Sequence, residues 1–311
     1  MSLGLKLYGD QDVVLNRLPV AVTLGNFDGV HFGHKKVIEE LKALAGGAKT
    51  LVITFFPHPT QILCPTSPKP LLYGIDERVR LLLEAGVDCV AVQEFSRDFS
   101  SLSADEFCSQ YLRKNFNIQS ILLGFNFLYG RDRLGNFEHL RKYSQSAGWI
   151  CKLGNAHTVN DELVSSSLIR EFISNGNVAA AANALTRPYA LKGTVVKGDQ
   201  RGRLLGFPTA NLRTDAEVLP SAGVYACRVL LSKKKKNYFG VMNCGFRPTI
   251  ANDLRWQIET HILDFNEDIY GEEIEFVLEK FLRGEKKFSG LEELKAQIAA
   301  DVKSARCYFK I

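Results

Sequence analysis

The sequence predicts two domains in tandem: an α/β domain on a parallel sheet, then a small antiparallel sheet or barrel closed by one helix. Three observations predict it. Short apolar runs alternate with helix-length amphipathic segments through the first half. From Tyr189 this gives way to short apolar runs divided by Gly, Pro, Asn or Lys. The length of 311 residues suits two domains of roughly 100–200 residues each.

The elements follow in order. PVAVTLGNF (19–27) reads as a buried strand and GHKKVIEELKALA (33–45) as an amphipathic helix. KTLVITFF (49–56) is a second strand, DERVRLLLEAG (76–86) a helix with glycine at its end, and DCVAVQEF (88–95) a third strand. SADEFCSQYLRKNF (103–116) is a helix opened by a Ser–x–x–Glu capping box. QSILLGFNF (119–127) is a strand and GNFEHLRKYSQSAG (135–148) a helix. Such alternation implies βαβ units and a parallel sheet. Ligands then sit outside the carboxyl ends of the strands, which singles out the loops just after 25, 56, 93 and 124. Residues 165–186 give two short helices, and Arg187 with Pro188 breaks the pattern. The domains are therefore expected at 1–186 and 187–311. The runs ALKGTVVKG, GVYACRVLLS, NYFGVMNCG, RWQIETHILDF and EIEFVLEKFL carry the signature of an antiparallel sheet or barrel. LEELKAQIAADVKSARCYF (291–309) closes the chain as an amphipathic helix.

Composition narrows the class. Apolar residues are 46% and charged residues 23%, which excludes a disordered chain, a collagen repeat and a coiled-coil rod. No run approaches the ~18 apolar residues of a membrane span, and no signal peptide is visible. Seven scattered cysteines, none in CxxC spacing, read as free thiols in a reducing cytoplasm. The net charge of +5 belongs to residues 187–311, and the lysine run 233–236 reads as a solvated hairpin tip.

GNFDGVHFGH (25–34) joins the first strand to the first helix. Gly25 and Gly29 permit a tight turn. His31 and His34 share a face if the segment enters the helix, beside an N-terminus that favours an anion. Two donors at a helix end suit a polyphosphate. Capping residues or satisfied core groups fit the same two histidines, and Asp28 fits a turn residue. The segment is not a GxxxxGK[ST] loop, and the pair lacks a third ligand for zinc. SSSLIREFI (165–173) opens another helix with serines and carries Arg170 one turn in, a second anion-binding terminus or plain capping. His58, between two prolines, either lines the site or serves the local conformation.

GTVVKGDQRGRLLGFPTANL (193–212) is Gly-rich and basic. Lys197, Arg201 and Arg203 bracket Gly198 and Gly202, which suits a loop folded around phosphate or an ordinary turn. Thr209 and Asn211 are two apart in an extended segment and face the same way. A hydroxyl and an amide oxygen are hard ligands suited to Mg²⁺, which leans on substrate phosphates. A turn after Pro208, with Asn211 bonding its own backbone, is the alternative. Glu259, flanked by apolar residues in QIETHILDF (257–265), either faces outward or accepts a proton from an attacking hydroxyl.

TLGNFDGVHFGH resembles the start of the prokaryotic bifunctional riboflavin kinase/FAD synthetases, and its HFGH the HxGH signature of the nucleotidyltransferases. TFFPHPTQIL, LLGFNFLYGRDRLGN and SSSLIR resemble further motifs of that family, in order. GRLLGFPTANL, SAGVYA, GVMNCGFRPT, ETHILDFNEDIYG and FLRGEKKFSGLEELKAQIAADVKSAR resemble its riboflavin kinase module. The resemblance spans about residues 18–306. It implies a Rossmann-like nucleotidyltransferase domain and a six-stranded barrel with a C-terminal helix. It implies ATP-dependent phosphorylation of riboflavin to FMN in the barrel, and adenylylation of FMN to FAD in the first domain. By residue, it implies ATP contacts for Gly25, Phe27, His31, His34, Ser166, Arg170, Lys197, Gly198 and Arg203. Asn126 and Arg247 would serve the flavin, Thr209 and Asn211 would bind Mg²⁺ with substrate phosphates, and Glu259 would be the catalytic base. Phe127, Leu128, Tyr129 and Gly130 depart from the FRFG of many relatives, so no arginine role carries to 128.

An adenylyltransferase for another phosphorylated precursor would explain HFGH but leave PTAN and Glu259 idle. A nucleic-acid-binding module would use the basic second half. Its basic residues are interspersed with acids and no stacking motif accompanies them. The expectation is a cytoplasmic enzyme acting on small molecules, with neither nucleic acid nor membrane as partner.

Overall fold

The computed structural model describes residues 4–159, 162–198, 201–231, 237–248 and 254–311. Contacts divide the chain into two compact units, Met1–Ser166 and Ser167–Ile311. The helix Val178–Leu185 joins the second unit, although the sequence texture changes only at 187. It buries Val178, Ala181, Ala184 and Leu185, and it packs on the strand Glu273–Gly284.

The first unit holds strands β1 (Leu5–Gly9), β2 (Val20–Leu24), β3 (Lys49–Phe56), β4 (Cys89–Glu94), β5 (Ile118–Leu123) and β6 (Ile150–Leu153). Their order is β1-β4-β3-β2-β5-β6. Strands β2 to β6 pair in parallel, and β1 runs antiparallel along β4. Period two sorts the side chains. Val20, Val22 and Leu24 of β2 join Phe99, Phe107 and Tyr111 in one core. Ala21 joins Val52, Ile38, Leu41 and Leu82 in the other. The latter three come from the helices Phe32–Ala45 and Ile75–Glu84. Both faces of the sheet are thus covered, which is why its strands read as continuous apolar runs.

The edge strands β1 and β6 were not among the expected elements. β6 leaves Ile150 and Leu153 exposed, so no inward alternation marks it. The capping box at Ser103 is present: Ser103 Oγ accepts the Glu106 N–H at 3.2 Å and Glu106 Oε2 accepts the Ser103 N–H at 2.8 Å. The expected helix then widens into a π-helix over Phe107–Arg113. The i→i+5 turn lets Phe107, Cys108, Tyr111 and Leu112 all reach the core. A short hairpin, β7 (Thr158–Val159) with β8 (Glu162–Leu163), ends the unit.

In the second unit β9 (Ala190–Val196), β10 (Ala210–Arg213), β11 (Gly223–Leu231), β12 (Asn237–Pro248), β13 (Leu254–Ile262) and β14 (Glu273–Gly284) form a closed barrel. Its order is β10-β13-β12-β11-β14-β9, antiparallel throughout. Closure leaves no free edge. This is the six-stranded barrel that the resemblance implies. Tyr225, Cys227, Met242, Cys244, Phe276 and Leu278 are buried within the unit. Burial pushes the Cys244 thiol up to about 12, so it packs as a neutral apolar group. All seven cysteines are free thiols; five are buried or partly buried, as expected, whereas Cys64 and Cys307 are exposed. The lysine run 233–236 lies outside the described residues.

The helix Leu291–Phe309 lays Ala305, Val302 and Phe309 on Val224, Ala226 and Val241. Arg283 fastens it: Nε donates to Asp301 Oδ1 at 2.9 Å and Nη2 to Oδ2 at 2.7 Å, while Gln297 adds a bond of 3.0 Å. The Asp301 side chain is only 7% exposed, so its removal strands a cation against the barrel. Asp301→Ala should cost about 3 kcal/mol in denaturant unfolding of the full chain. A change below about 0.5 kcal/mol, the range of ordinary surface substitutions, would show that the pair contributes nothing.

Candidate active sites

β2 is central, with β3 on one side and β5 on the other. Strand order reverses there, so the loops after β2 and β5 flank a crevice at the carboxyl ends. The Gly25 N–H donates to Ile53 O at 3.1 Å as the chain leaves the sheet. A Cβ on Gly25 would lie 3.0 Å from the Phe27 ring. Three positive φ angles follow, at Phe27 (48°), Gly29 (86°) and Val30 (39°). For phenylalanine and a β-branched valine this is strain of about 1–3 kcal/mol each. Phe27 and Val30 are fully buried, and that burial offsets the strain. Asp28 anchors the turn. Its carboxylate accepts the N–H of Leu72 at 3.1 Å and of Tyr73 at 3.3 Å, and its carbonyl accepts the Ser166 hydroxyl at 2.8 Å.

His31 caps the helix Phe32–Ala45: its Nδ1 accepts the His34 N–H at 3.4 Å. In the neutral ring the remaining proton is then on Nε2. The His31 and His34 rings stack at 3.6 Å and 19°, and Phe27 lies 5.0 Å from His34. Capping and anion binding are thus compatible here. The two imidazoles sit together at the positive end of a 14-residue helix.

Asn126 is exposed in the turn after β5. Just beyond it, a bridge between Tyr129 and Gly135 encloses residues 130–134. A clamp holds it that the sequence did not reveal. The Tyr129 hydroxyl lies 2.8 Å from His139 Nδ1, and His139 Nε2 lies 3.2 Å from Asp105 Oδ1. His58 serves the local conformation. Its Nδ1 accepts the Thr60 N–H at 3.2 Å, and Gln61 Oε1 accepts the His58 N–H at 3.0 Å, capping Pro59–Leu63. Ser166 opens the helix Ser166–Ser174, and Arg170 stands half-buried one turn on.

In the barrel Asn211 pairs with Val196 of β9 and with Glu259 of β13. Glu259 also faces Asn243 across β12. Direct opposition puts the side chains of Asn211 and Glu259 on one face, with Cβ atoms about 5 Å apart. Asn211 is buried at 8% exposure and Glu259 is half-buried, so neither is a solvated outer residue. Thr209 immediately precedes β10, and Asn211 lies within the strand rather than in a turn. The glycines explain the loop before it. A Cβ on Gly198 would fall 2.4 Å from the Asn211 amide, and one on Gly202 would fall 2.4 Å from Phe207 O and 3.4 Å from Thr209 Oγ1. The backbone at Gly198 and Gly202 thus lies directly against Asn211 and Thr209. Part of that segment is a helical turn, Arg201–Leu204. Lys197 and Arg203 are exposed, and Lys197 Nζ is 5.8 Å from the Tyr270 ring centroid. The Arg247 backbone pairs with Arg255, while its side chain lies outside the described set.

Sequence reasoning missed Gln257. Its Nε2 donates to Glu259 Oε1 at 2.6 Å and to Asn211 Oδ1 at 3.3 Å. The available signal was its place two residues before Glu259 on the same face. Trp256 and Ile258, on either side of Gln257 in sequence, line with Leu212, Arg213 and Thr214 a cleft of about 270 Å³.

Known proteins agree with this division. Residues 15–168 match the FAD synthetase family model, and residues 185–309 match the riboflavin kinase model, Flavokinase. The bifunctional riboflavin kinase/FMN adenylyltransferase of Escherichia coli K12 is 38% identical over 290 residues, covering 93% of this chain and 92% of its own. That of Bacillus subtilis strain 168 is 37% identical over 295 residues, with 93% and 92% coverage. A crystal structure described as a macrolide-efflux protein from Streptococcus pneumoniae has a TM-score of 0.84 and 31% identity, over 93% of each chain. Among the described residues no helix is long and apolar enough to cross a membrane. Two matching domain models, and relatives aligned over more than nine-tenths of both chains, make this chain a member of the bifunctional riboflavin kinase/FMN adenylyltransferase family.

Proposed function

We propose that riboflavin is phosphorylated on the Asn211–Glu259 face of the barrel, and that FMN is adenylylated at the His31–His34 helix mouth. The observation that carries this reading is the register of β10 against β13, which opposes an amide and a carboxylate beneath a glycine-bearing loop.

In the kinase step Glu259 takes the proton of the riboflavin 5′-hydroxyl as that oxygen attacks the γ-phosphorus of ATP, and ADP leaves. Gly198 and Gly202 let the loop backbone approach the phosphates, with Lys197 and Arg203 adding positive charge. Thr209 and Asn211 fit Mg²⁺. They offer neutral, hard oxygens, and among the described residues no cluster of three His, Cys, Asp or Glu stands ready for another metal. When bound, the ion would neutralise charge on the phosphates. Arg247 is assigned to flavin or loop support.

In the adenylyl step an FMN phosphate oxygen attacks the α-phosphorus of ATP and pyrophosphate leaves. No covalent enzyme intermediate is needed, so catalysis is positioning and charge stabilisation. His31 donates through Nε2, and His34 and the helix N-terminus add to the positive field. Ser166 donates its hydroxyl proton to the Asp28 carbonyl and so fixes the start of its helix, and we assign Arg170 to the triphosphate as a bidentate fork. Asn126 contacts the flavin, and Gly25 and Phe27 shape the floor under the nucleotide. We place the enzyme in the cytoplasm, where both substrates and ATP occur.

Incubation with riboflavin, ATP and Mg²⁺, followed by flavin separation, should yield FMN and then FAD. Asn211→Ala should abolish FMN formation yet leave FAD formation from supplied FMN, and His34→Ala should do the reverse. Loss of both reactions in a folded Asn211→Ala protein would overturn the two-site assignment. Glu259→Gln should lower kcat for riboflavin by about 10²–10⁴-fold with little change in KM; an equal loss of affinity would mean a structural role. Gly198→Ala should displace the Asn211 amide and cut kinase turnover about 100-fold, sparing adenylylation. Wild-type turnover in that variant would separate the loop from the site.

A further inference from the structure

We propose that Gln257 is a positioning residue for phosphoryl transfer, one that holds Glu259 and dictates which atom Asn211 presents. The inference rests on the reading of Glu259 as base and Asn211 as metal and phosphate ligand. Gln257 and Glu259 are alternate residues of β13 and share a face. The Gln257 Nε2 is 2.6 Å from Glu259 Oε1 and 3.3 Å from Asn211 Oδ1.

Each choice forces the next. An ionised carboxylate only accepts hydrogen bonds, so Gln257 must turn its nitrogen, not its oxygen, toward Glu259. The second proton of the same nitrogen then meets Asn211, which has to answer with Oδ1. An asparagine amide has no intrinsic preference between its two ends, and this contact removes the ambiguity. Oδ1 has two lone pairs, and Gln257 takes one, leaving the other for a cation or a phosphate-bound water. Gly198 restricts the same amide as well, because no Cβ fits there. Gln257 therefore sets the rotation of the amide and Gly198 its position.

Two substitutions separate this role from packing. Gln257→Met keeps length and bulk but donates nothing. Gln257→Glu keeps the shape but puts an acceptor where the donor was. Kinase kcat should fall about 10-fold in the first and ~100-fold in the second, with the KM for riboflavin within about twofold. Adding Gln257→Met to Glu259→Gln should bring little further loss, since residues acting as one unit are not additive. Calorimetry supplies a readout apart from turnover. Binding of ADP alone should be unchanged in Gln257→Met, whereas the gain on adding Mg²⁺ should shrink about 10-fold.

Wild-type kcat and wild-type Mg²⁺ dependence in both folded variants would overturn the proposal. An inactive Glu259→Gln beside a fully active Gln257→Met would overturn it while leaving the base assignment standing. A fully active Glu259→Gln would instead remove the base assignment, and the calorimetric result would then decide the Asn211 half alone.

Discussion

The barrel site depends on one register. With Ala210 opposite Thr260 and Asn211 opposite Glu259, every functional side chain of β10 and β13 falls on one face. A slip by one residue would turn Ile258 outward and carry Glu259 to the other side. The buried residues of the opposite face enforce the choice. Ile258 and Thr260 are buried at 2% and 0% exposure, and the closed barrel leaves neither strand free to slide. Here the packing that stabilises the fold also aligns the chemistry.

The proposed adenylyl site is secured differently. Its histidines stand on a turn whose backbone is unfavourable at Phe27 and Val30. Tertiary contacts maintain it: two buried apolar side chains, a buried carboxylate that collects backbone N–H groups, and a hydroxyl from far along the chain. Strain held in this way is a reason for the turn to keep one shape when a polyanion arrives. The helix that begins at once behind it brings a fixed dipole with no reorganisation required.

Much of this was legible in the sequence. Buried parallel strands reveal themselves as apolar runs, and the texture change after 187 marks the barrel strands. The closing helix lies at Leu291–Phe309, matching the amphipathic segment. What was illegible has physical causes. An edge strand such as β6 has no second neighbour and little inward face, so its pattern is weak. The π-helical stretch keeps a helix-like composition while changing pitch. Gln257 looks like any polar strand residue until pairing brings Asn211 beside it. Asp28 looked like a turn residue because its partners at 72 and 73 are distant in sequence. The extended segment expected at Thr209 and Asn211 was legible in part: Asn211 lies in β10, and Thr209 immediately precedes it.

The bond from Ser166 to Asp28 closes a loop of 138 residues. Its formation has to wait for nearly the whole first unit to leave the ribosome. A nascent chain thus passes through a stage with a complete central strand and first helix but an unfastened nucleotide mouth. Closing so long a loop costs entropy that only prior collapse of the sheet reduces. The fastened turn before the helix Phe32–Ala45 is therefore among the last features the growing polypeptide completes in its first unit, well after its strands have found their neighbours.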